Sequence, residues 1–442
     1  MHSGLATDLY ELTMAAGYWS AGMMEPATFE LFVRRLPPSR GYLIVAGLEQ
    51  AIEYLEAVQF SAEDRAWLKA QPQFARIDAR FFDDYLARFR FTGDVWAARE
   101  GTAMFAGEPI LRVTAPLPEA QIVETALLSM LLFPTSVATK AARLLTAAGG
   151  RAVVDFGVRR AHGLSAGLAA ARAAYVAGCA ATSFVEASRR YHIPASGTMA
   201  HSWVQSFADE MDAFRTFERL FGRASVYLLD TYDTRTATKN LIDAGLEPPM
   251  VRLDSGDIES LSREVRRLLD NAGLFETGIF ATGDLDEHAI DALVRAAAPI
   301  DGFGVGTSLA TVSDAPSLSG VYKLVELHRG GHPVDVVKLS PGKRTFPGAK
   351  QVHRTFVGST FAGDLVAAGD EPATDATAIL ELVVSEGTRV DAPETLDAIR
   401  ERSRATLAAL PDGVKRLHDP DPYPVRFSDR LERRREMAAR RV

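Results

Sequence analysis

The sequence predicts an α/β fold: an irregular (β/α) barrel flanked by an α+β domain that the N-terminal and C-terminal segments build together. Three observations predict it. Residues 1–135 mix short extended runs with helical stretches, which is typical of an α+β domain. Residues 136–325 hold short apolar runs that alternate with helix-length stretches, as parallel βαβ units do. Residues 326–442 lose this alternation, so we predict three segments with these boundaries, the last packing with the first.

The composition is that of a large folded protein with a substantial core. The chain has 442 residues, of which 47% are hydrophobic. Its one cysteine, Cys179, excludes an intramolecular disulfide, and the sequence has no Cys/His cluster with the spacing of zinc ligands. We therefore expect a cytoplasmic protein without zinc.

Charge and hydropathy argue against membranes and nucleic acid as partners. The N-terminus lacks the basic start and apolar core of a secretory signal. The most apolar stretch, residues 125–139, is short for a spanning helix and contains Pro134, so we expect a buried helix end and turn. A net charge of −8 gives no general attraction to polyanions. An anionic ligand would need a local cluster of basic groups.

The first segment is predicted from its hydropathy pattern. Extended runs are expected at ATFELFVRRL (27–36), YLIVAGL (42–48) and VWAARE (95–100), with Gly and Pro between them as in hairpins. Helices are expected around AIEYLEAV (51–58) and FFDDYLARF (81–89).

The middle segment holds the predicted barrel strands. They are AVVDFG, a short run at 179–184, IPASGTMA, SVYLLDTYD, PMVRLDSGD, GIFATGD and DGFGVGT. Six or seven such units favour a closed or nearly closed barrel over an open sheet. Nearly all of these strands end in residues that a buried strand does not need: Arg159, Arg160, His162, His201, Asp230, Asp233, Arg252, Asp254, Asp257, Asp284, Gly304 and Gly306. Because the carboxyl ends of barrel strands meet at one mouth, we expect a single site there.

Two strand-end motifs carry basic side chains. In DFGVRRAHG (155–163), Arg159 and Arg160 could clamp a phosphate or carboxylate, although a surface turn with ion-paired arginines has the same pattern. In GTMAHSW (197–203), His201 could donate a proton, attack phosphorus or cap a helix, and a structural histidine is equally compatible.

Three further motifs fit a phosphorylated ligand. In VRLDSGD (251–257), Asp254 could hold ribose hydroxyls or magnesium, and Ser255 or Asp257 could cap the following helix. Capping leaves Arg252 at a buried strand end unexplained. The glycine-rich turns at 282–284 and 302–308 could receive phosphate on backbone N–H groups. A basic loop suits a polyphosphate, or is a solvated surface run: Lys338, Lys343, Arg344, Lys350, His353 and Arg354.

These motifs, in order along nearly the whole chain, resemble those of nicotinate phosphoribosyltransferases. The resemblance rests on TDLYELTMAAGYW, FELFVRRLPPSRGYLIVAGLEQ, DFGVRRAHG, GTMAHSW, LLDTYDT, VRLDSGD and KLSPGKRTFPGAKQVHR. It implies the type II phosphoribosyltransferase fold, and the formation of nicotinate mononucleotide from nicotinate and phosphoribosyl pyrophosphate in NAD salvage. It also implies ATP as co-substrate, Mg²⁺ as cofactor, and a homodimer with shared active sites.

The resemblance implies roles for particular residues. Tyr10 and Phe156 would stack on the two faces of the pyridine ring, Tyr10 from the partner subunit. His201 would be phosphorylated by ATP and would form the catalytic set with Arg159, Asp230 and Arg252. The remaining implied contacts are Asp230 and Asp254 to ribose or magnesium, and Gly283, Asp284, Gly304, Gly306, Thr307, Lys338, Lys343 and Lys350 to the phosphorylated substrates.

The acid is favoured over the amide as substrate. Relatives that take nicotinamide carry a carboxylate after the first barrel helix, whereas the corresponding residues 177–184 contain no acid. Thr182 and Ser183 could donate to the nicotinate carboxylate instead. This stretch departs from the glycine-threonine-serine-asparagine of the family at Ala181 and Phe184.

Three alternatives stay open at this point. The first is a nicotinamide or quinolinate phosphoribosyltransferase. The second is a phosphate-binding barrel isomerase or aldolase, which would need a Schiff-base lysine or paired carboxylates at the strand ends. The third is an inactive binding protein.

Overall fold

The computed structural model describes residues 3–340 and 345–441. The chain divides into two compact units. Met1–Ser136 and Ser317–Val442 form one, here called the two-segment unit, and Val137–Pro316 forms the other, the barrel unit. The second boundary lies earlier than the predicted position between 325 and 326. The reason is that the strand Gly320–Arg329 pairs antiparallel with Pro26–Val33 of the two-segment unit.

The N-terminal segment contributes five strands and four helices. In chain order they are α1 (Leu9–Ser20), β1 (Pro26–Val33), β2 (Leu43–Ile44), α2 (Leu48–Ala57), α3 (Ala62–Lys69), β3 (Asp94–Ala98), β4 (Ala103–Met104), β5 (Pro109–Pro116) and α4 (Leu117–Ile122). The extended run predicted at 42–48 is mostly not strand, because α2 already begins at Leu48 after Gly47 in the left-handed region. The helix predicted at 81–89 is a π turn followed by a 3₁₀ turn.

A long apolar helix, α5 (Glu124–Ala148), follows. The predicted helix end and turn at 125–139 is wrong, because the helix continues through Pro134. Proline cannot bond to the carbonyl of Met130, four residues earlier. The backbone of Gly47 packs there, so closely that a Cβ on Gly47 would lie 1.9 Å from that oxygen. Among the described residues α5 is the one helix long and apolar enough to span a membrane, and 67% of its most apolar window is buried within the protein, as in a core helix.

The barrel unit alternates strands and helices. Its elements are β6 (Ala152–Asp155), α6 (Leu164–Ala177), β7 (Ala181–Thr182), α7 (Val185–Tyr191), α8 (His201–Gln205), α9 (Glu210–Phe221), β8 (Val226–Leu228), α10 (Thr234–Asp243), β9 (Met250–Leu253), α11 (Ile258–Asn271), β10 (Gly278–Ala281), α12 (Glu287–Arg295), β11 (Gly302–Val305) and α13 (Thr307–Thr311). The six strands are parallel, in the order β7-β6-β11-β10-β9-β8. The predicted α/β class is confirmed, but the sheet in the described residues is a curled half-barrel and not the closed or nearly closed barrel that was expected. Its edge strands, β7 and β8, each pair with one neighbour.

The strand predicted at 193–200 is absent from this sheet. Pro194 has no N–H to donate, and the segment touches the sheet at a single bridge between Ala195 and Thr182. There, Thr182 N–H donates to the carbonyl of Pro194 at 3.0 Å and Ser196 N–H donates to that of Thr182 at 3.0 Å. Residues 193–200 therefore run along the edge of β7 as an irregular segment that leads into α8.

The C-terminal segment completes the two-segment unit. It contains β12 (Gly320–Arg329), β13 (His332–Asp335), β14 (Lys350–Val357), β15 (Thr360–Ala368), β16 (Thr377–Ala378), β17 (Leu380–Ser385), β18 (Thr388–Arg389), α14 (Leu396–Ala409), α15 (Asp412–Lys415), β19 (Val425–Phe427) and α16 (Asp429–Ala439). A seven-stranded sheet in the order β13-β12-β1-β5-β3-β17-β18 joins strands of both segments. A large apolar cluster packs on it, to which α1, α2, β1 and β5 contribute buried side chains.

Candidate active site

The carboxyl ends of four neighbouring barrel strands surround a cavity of about 240 Å³. Parallel strands place these ends at one edge of the sheet, so side chains distant in sequence meet there. The predicted residues that line this cavity are Phe156, Arg159, Arg252, Asp254, Gly283, Asp284, Gly304, Gly306 and Thr307, together with Arg160 and Thr282. The structure thus brings nine of the predicted site residues to one place.

A second cavity of about 180 Å³ shares a wall with the first. Phe156, Arg159 and Arg252 line both cavities. The second is otherwise bordered by Val158, Ser183 and the irregular segment 197–200. An aromatic ring and two guanidinium groups therefore stand between a polar cavity and a more apolar one. This arrangement suits a flat aromatic acid that meets a phosphorylated partner at its edge.

Arg252 is the most constrained side chain of the shared wall. It is 8% exposed at the end of β9. Its Nε donates to Thr282 Oγ1 at 2.8 Å and its Nη2 to Asp254 Oδ1 at 2.5 Å. Its Nη1 donates to Thr198 Oγ1 at 2.7 Å and to the carbonyl of Met199 at 3.4 Å. Of the five guanidinium N–H groups, one on Nη2 remains for a ligand, as judged from the described residues.

Asp254 is held ionised beside Arg252. Burial acts to raise the pKa of Asp254, but the Thr282 hydroxyl bond and the positive charge and hydrogen bond of Arg252 outweigh it, so the pKa is lowered. The other oxygen, Oδ2, lies 3.7 Å from Nε2 of His201. Asp254 thus links the cation of the shared wall to the histidine.

His201 opens α8 and is 40% exposed at its side chain. Its Nδ1 lies 3.2 Å from Thr231 Oγ1, so the imidazole is oriented from both ring nitrogens. Among the described residues His201 lines neither cavity, and it reaches the first through Asp254, which lines that cavity. The accessible ring can accept a group from a ligand outside the cavities.

Asp230 has one oxygen without a partner. Its Oδ2 accepts the N–H of Asp254 at 3.0 Å and the hydroxyl of Ser255 at 2.5 Å. Its Oδ1 is buried and has no hydrogen-bond partner among the described residues. An orphaned carboxylate oxygen beside a second aspartate fits a hard cation such as Mg²⁺.

The turn after β10 requires its glycine. Gly283 has φ of 89°, and a Cβ there would lie 1.8 Å from the carbonyl oxygen of Asp254. The next residue, Asp284, also has a positive φ, 44°. Positive φ is uncommon in residues other than glycine, and such backbone conformations are enriched at active sites and ligand sites. Gly304 is required for a different reason, because a Cβ there would lie 2.8 Å from the ring of Phe156.

Asp155, at the end of β6, was missed from the sequence although it directly precedes Phe156. It is 3% exposed, and burial raises its pKa, against hydrogen bonds that lower it. Gly157 N–H donates to Oδ1 at 2.8 Å and Thr182 Oγ1 to Oδ2 at 2.8 Å. The predicted donation of Thr182 to substrate is corrected, because its buried hydroxyl serves Asp155. Ser183 does line the second cavity.

Two polar residues of the predicted site are instead helix caps. Asp233 accepts the N–H of Thr236 at 2.8 Å and caps α10. Asp257 accepts the N–H of Ser260 at 3.2 Å and caps α11. The capping interpretation of Asp257 is therefore confirmed.

The remaining predicted residues belong to the two-segment unit. Tyr10 lies on α1 and is 48% exposed. Lys338 is exposed, and Lys343 lies outside the described residues. Lys350 is corrected: it is 4% exposed, and its Nζ lies 2.7 Å from Glu30 Oε2 and donates to the carbonyls of Phe346 and Gly348 at 2.8 and 2.9 Å. Its donors serve the interior, so it is left out of the proposed site.

Fold and site together define a half-barrel protein whose strands end, at their carboxyl side, around a cavity with basic side chains suited to an anionic ligand. Comparison with known proteins narrows this class. Models of the nicotinate phosphoribosyltransferase N-terminal domain, family and C-terminal domain match residues 5–132, 152–345 and 350–435. The chain belongs to the nicotinate phosphoribosyltransferase family.

Individual relatives match along almost the full chain. A nicotinate phosphoribosyltransferase of Mycobacterium tuberculosis is 45% identical, over 97% of this chain and 92% of that protein. The Bacillus subtilis nicotinate phosphoribosyltransferase is 39% identical, over 96% and 93%. The crystal structure of human nicotinic acid phosphoribosyltransferase superposes with a TM-score of 0.84 at 28% identity, covering 98% of this chain and 99% of that one.

Proposed function

We propose that this chain transfers the phosphoribosyl group of phosphoribosyl pyrophosphate to nicotinate, with ATP consumed through a phosphohistidine at His201. The products are nicotinate mononucleotide and pyrophosphate, on a salvage route to NAD. The observation that carries the proposal is the wall shared by the two cavities, where Phe156, Arg159 and Arg252 meet. Family membership supports the same reaction.

The base is assigned to the second cavity. The pyridine ring stacks on Phe156, and its carboxylate is received by Ser183 and the two arginines of the wall. Asp155 directly precedes Phe156, but its two carboxylate oxygens accept hydrogen bonds from the Gly157 N–H and the Thr182 hydroxyl. Without a carboxylate to accept an amide N–H, the cavity favours nicotinate over nicotinamide. A second copy of the chain would supply Tyr10 to the open face of the ring, in a homodimer.

The sugar phosphate is assigned to the first cavity. The turn at Gly283 and Asp284, with Gly304, Gly306 and Thr307, offers a close backbone approach to the 5′-phosphate. Asp254 is ionised and suited to accept the ribose hydroxyls. The exposed Arg159 and Arg160 would hold the pyrophosphate.

Transfer then needs positioning more than acid or base chemistry. The bond from the anomeric carbon to pyrophosphate breaks, positive charge develops on the sugar, and the lone pair of the pyridine nitrogen forms the new bond. Guanidinium groups fixed before the reaction stabilise the departing charge without reorganising. The four partners that hold Arg252 supply that fixity.

Magnesium fits the orphaned oxygen of Asp230, whose other oxygen accepts the backbone N–H of Asp254. When bound, the ion supplies further neutralisation of phosphate charge. Both aspartates would hold it, and Asp254 retains Oδ1 for Arg252 and Thr282.

ATP acts at His201. An unprotonated ring nitrogen attacks the γ-phosphorus, the nitrogen–phosphorus bond forms as the bond to the ADP oxygen breaks, and water later releases phosphate. The side-chain exposure of His201 and its two orienting contacts support this role.

Incubation with γ-labelled ATP tests the proposal. The intact protein is expected to take acid-labile label, and His201→Ala is expected to take none and to lose ATP-stimulated nucleotide formation. Active protein without label would contradict the phosphohistidine step. A parallel assay with nicotinate, nicotinamide and quinolinate is expected to give product chiefly from nicotinate, and a preference for either other base would contradict the assignment of the second cavity.

A further inference from the structure

The hydroxyl of Thr198 joins two parts of the site. Thr198 lies in the irregular segment 193–200, three residues before His201. Its Oγ1 accepts from Arg252 Nη1 at 2.7 Å and donates to the carbonyl of Met199 at 3.1 Å. Both the donor and an acceptor lone pair of the hydroxyl are therefore used, so its orientation is fixed.

The other partners of Arg252 come from a different part of the barrel. Asp254 follows β9, and Thr282 follows β10. Thr282 also donates to Asp254 Oδ1, so these three residues form a closed group at the strand ends. Thr198 and the Met199 carbonyl tie this group to the segment that leads into α8.

The contacts close into a ring that contains His201. From Thr198 the ring passes through Arg252 to Asp254, whose Oδ2 lies 3.7 Å from His201 Nε2, and back along the chain to Thr198. A phosphate added to His201 brings negative charge next to Asp254 and repels it. A displacement of the segment 193–200 by this repulsion would reach Arg252 through the Thr198 hydroxyl.

We propose that Thr198 is a positioning residue that couples the state of His201 to the guanidinium of Arg252 at the base cavity. This inference rests on the proposed function and deepens it. Thr198 borders the base cavity, but its hydroxyl is engaged by Arg252 and by the Met199 carbonyl, so it acts on the base through Arg252. It sets the direction of Arg252 N–H groups and the entry of the chain into α8, so its loss should uncouple ATP hydrolysis from nucleotide formation.

The test replaces Thr198 with valine, which keeps the shape and removes the hydroxyl, and with serine, which keeps the hydroxyl. Thr198→Val is expected to raise the KM for nicotinate about tenfold, the size expected for a hydrogen bond to a charged group. It is also expected to raise the ADP formed per nicotinate mononucleotide, while the initial rate of His201 labelling stays within about twofold. Thr198→Ser is expected to restore both values.

A matched control separates positioning from stability. Thr238 is fully buried in α10, and its hydroxyl donates to the Thr234 carbonyl at 2.7 Å. Thr238→Val is expected to lower the Tm while leaving the KM and the ADP-to-product ratio unchanged. Thr198→Val that lowers only the Tm, or serine and valine variants with the same kinetics, would overturn the proposal.

The proposed function can fail independently. If the unmodified protein takes no label on His201 and forms no nucleotide, the function is wrong. The effect of the Thr198–Arg252 hydrogen bond on nicotinate binding can then still be measured by calorimetric titration. Equal Kd values for the unmodified protein and Thr198→Val would overturn the positioning role, and about tenfold weaker binding by the variant would support it.

Discussion

Both units bury basic side chains. In the two-segment unit their N–H groups bond to carboxylates and carbonyls of the interior, whereas in the barrel unit one of them borders cavities. In the two-segment unit, Arg354 is 1% exposed, its Nη2 lies 2.6 Å from Asp364 Oδ2, and it also donates to the carbonyl of Ala103 at 2.8 Å. Lys350 is likewise enclosed by Glu30 and two carbonyls. Arg252 of the barrel unit is almost as buried, but it lines two cavities. Burial of a charged side chain does not by itself identify a binding site. A buried cation that borders a cavity and keeps an N–H group without a protein partner does indicate one.

Neighbouring carboxylates show the same contrast. Glu108 of the two-segment unit is fully buried, and burial together with the charge of Asp364 raises its pKa well above the usual range. Asp254 of the barrel unit is partly exposed and has a lowered pKa. The first carboxyl is held neutral as part of the interior. The second is held charged where ribose or a metal ion can meet it.

The largest expected effect belongs to the enclosed cation. Arg354→Met removes the cationic partner of Asp364 and leaves that buried carboxylate with the Tyr423 hydroxyl, so the free energy of unfolding should fall by about 3–5 kcal/mol. Denaturant unfolding measures the loss. At denaturant concentrations where the variant is still folded, its KM for nicotinate should be unchanged. A raised KM would contradict the distinction between the buried cations of the two-segment unit and Arg252.

The open cation should behave in the opposite way. Arg252→Met is expected to lower kcat/KM for nicotinate about a hundredfold, as expected when a fixed cation is removed from a developing charge, with a Tm change of only a few degrees. Steady-state kinetics and a thermal scan measure the two quantities. Activity within tenfold of the unmodified protein would show that Arg252 is structural, like Arg354.

The glycine turn tests whether close backbone approach matters. Gly283→Ala places a Cβ 1.8 Å from the carbonyl oxygen of Asp254, so the turn must shift. The KM for phosphoribosyl pyrophosphate should rise about tenfold, equivalent to roughly 1.4 kcal/mol of lost binding. Gly150→Ala is the control, because Gly150 also has positive φ, 90°, but none of the described residues lies within 4 Å of its added Cβ. Equal effects of the two substitutions would attribute the change to backbone strain alone.

The smallest expected effect is a pH dependence in the barrel unit. Burial, with the charges of Asp209 and Asp233, raises the pKa of Glu210 from 4.5 to about 7. The folded state then binds the proton more tightly than the unfolded state, so this group's stabilising contribution is lost as pH rises from about 4.5 to about 7. Glu210→Gln should have a higher Tm than the unmodified protein at pH 8, with the difference closing toward pH 4.5. A difference independent of pH would rule out this cause.

Much of the site could be predicted because its residues follow strands. The carboxyl ends of parallel strands lie at one edge of a sheet, however the connecting helices pack. The side chains that follow the strands therefore converge there, as Arg159, Arg252, Asp254 and Asp284 do. The glycines could be located for the same reason. The individual hydrogen bonds could not, since the Thr198 hydroxyl meets Arg252 across 54 residues of sequence.

The errors have physical causes of their own. Lys350 reads as part of a basic surface run, and its burial depends on Glu30, 320 positions away. From the sequence, the Thr182 hydroxyl is expected to be free to donate to a ligand. In the structure it donates to Asp155, which lies 27 positions earlier. Pro134 predicts a helix end, but Gly47 and the surrounding core allow α5 to continue past it. In each case a long-range contact outweighs the local pattern.

Calorimetric titration with phosphoribosyl pyrophosphate in magnesium buffer tests the convergence of the strand ends most directly. One binding site per chain is expected, with an affinity that Arg252→Met weakens about a hundredfold and that Arg354→Met leaves unchanged at a temperature where both variants are folded. Binding that is insensitive to Arg252→Met, or lost equally in both variants, would contradict it.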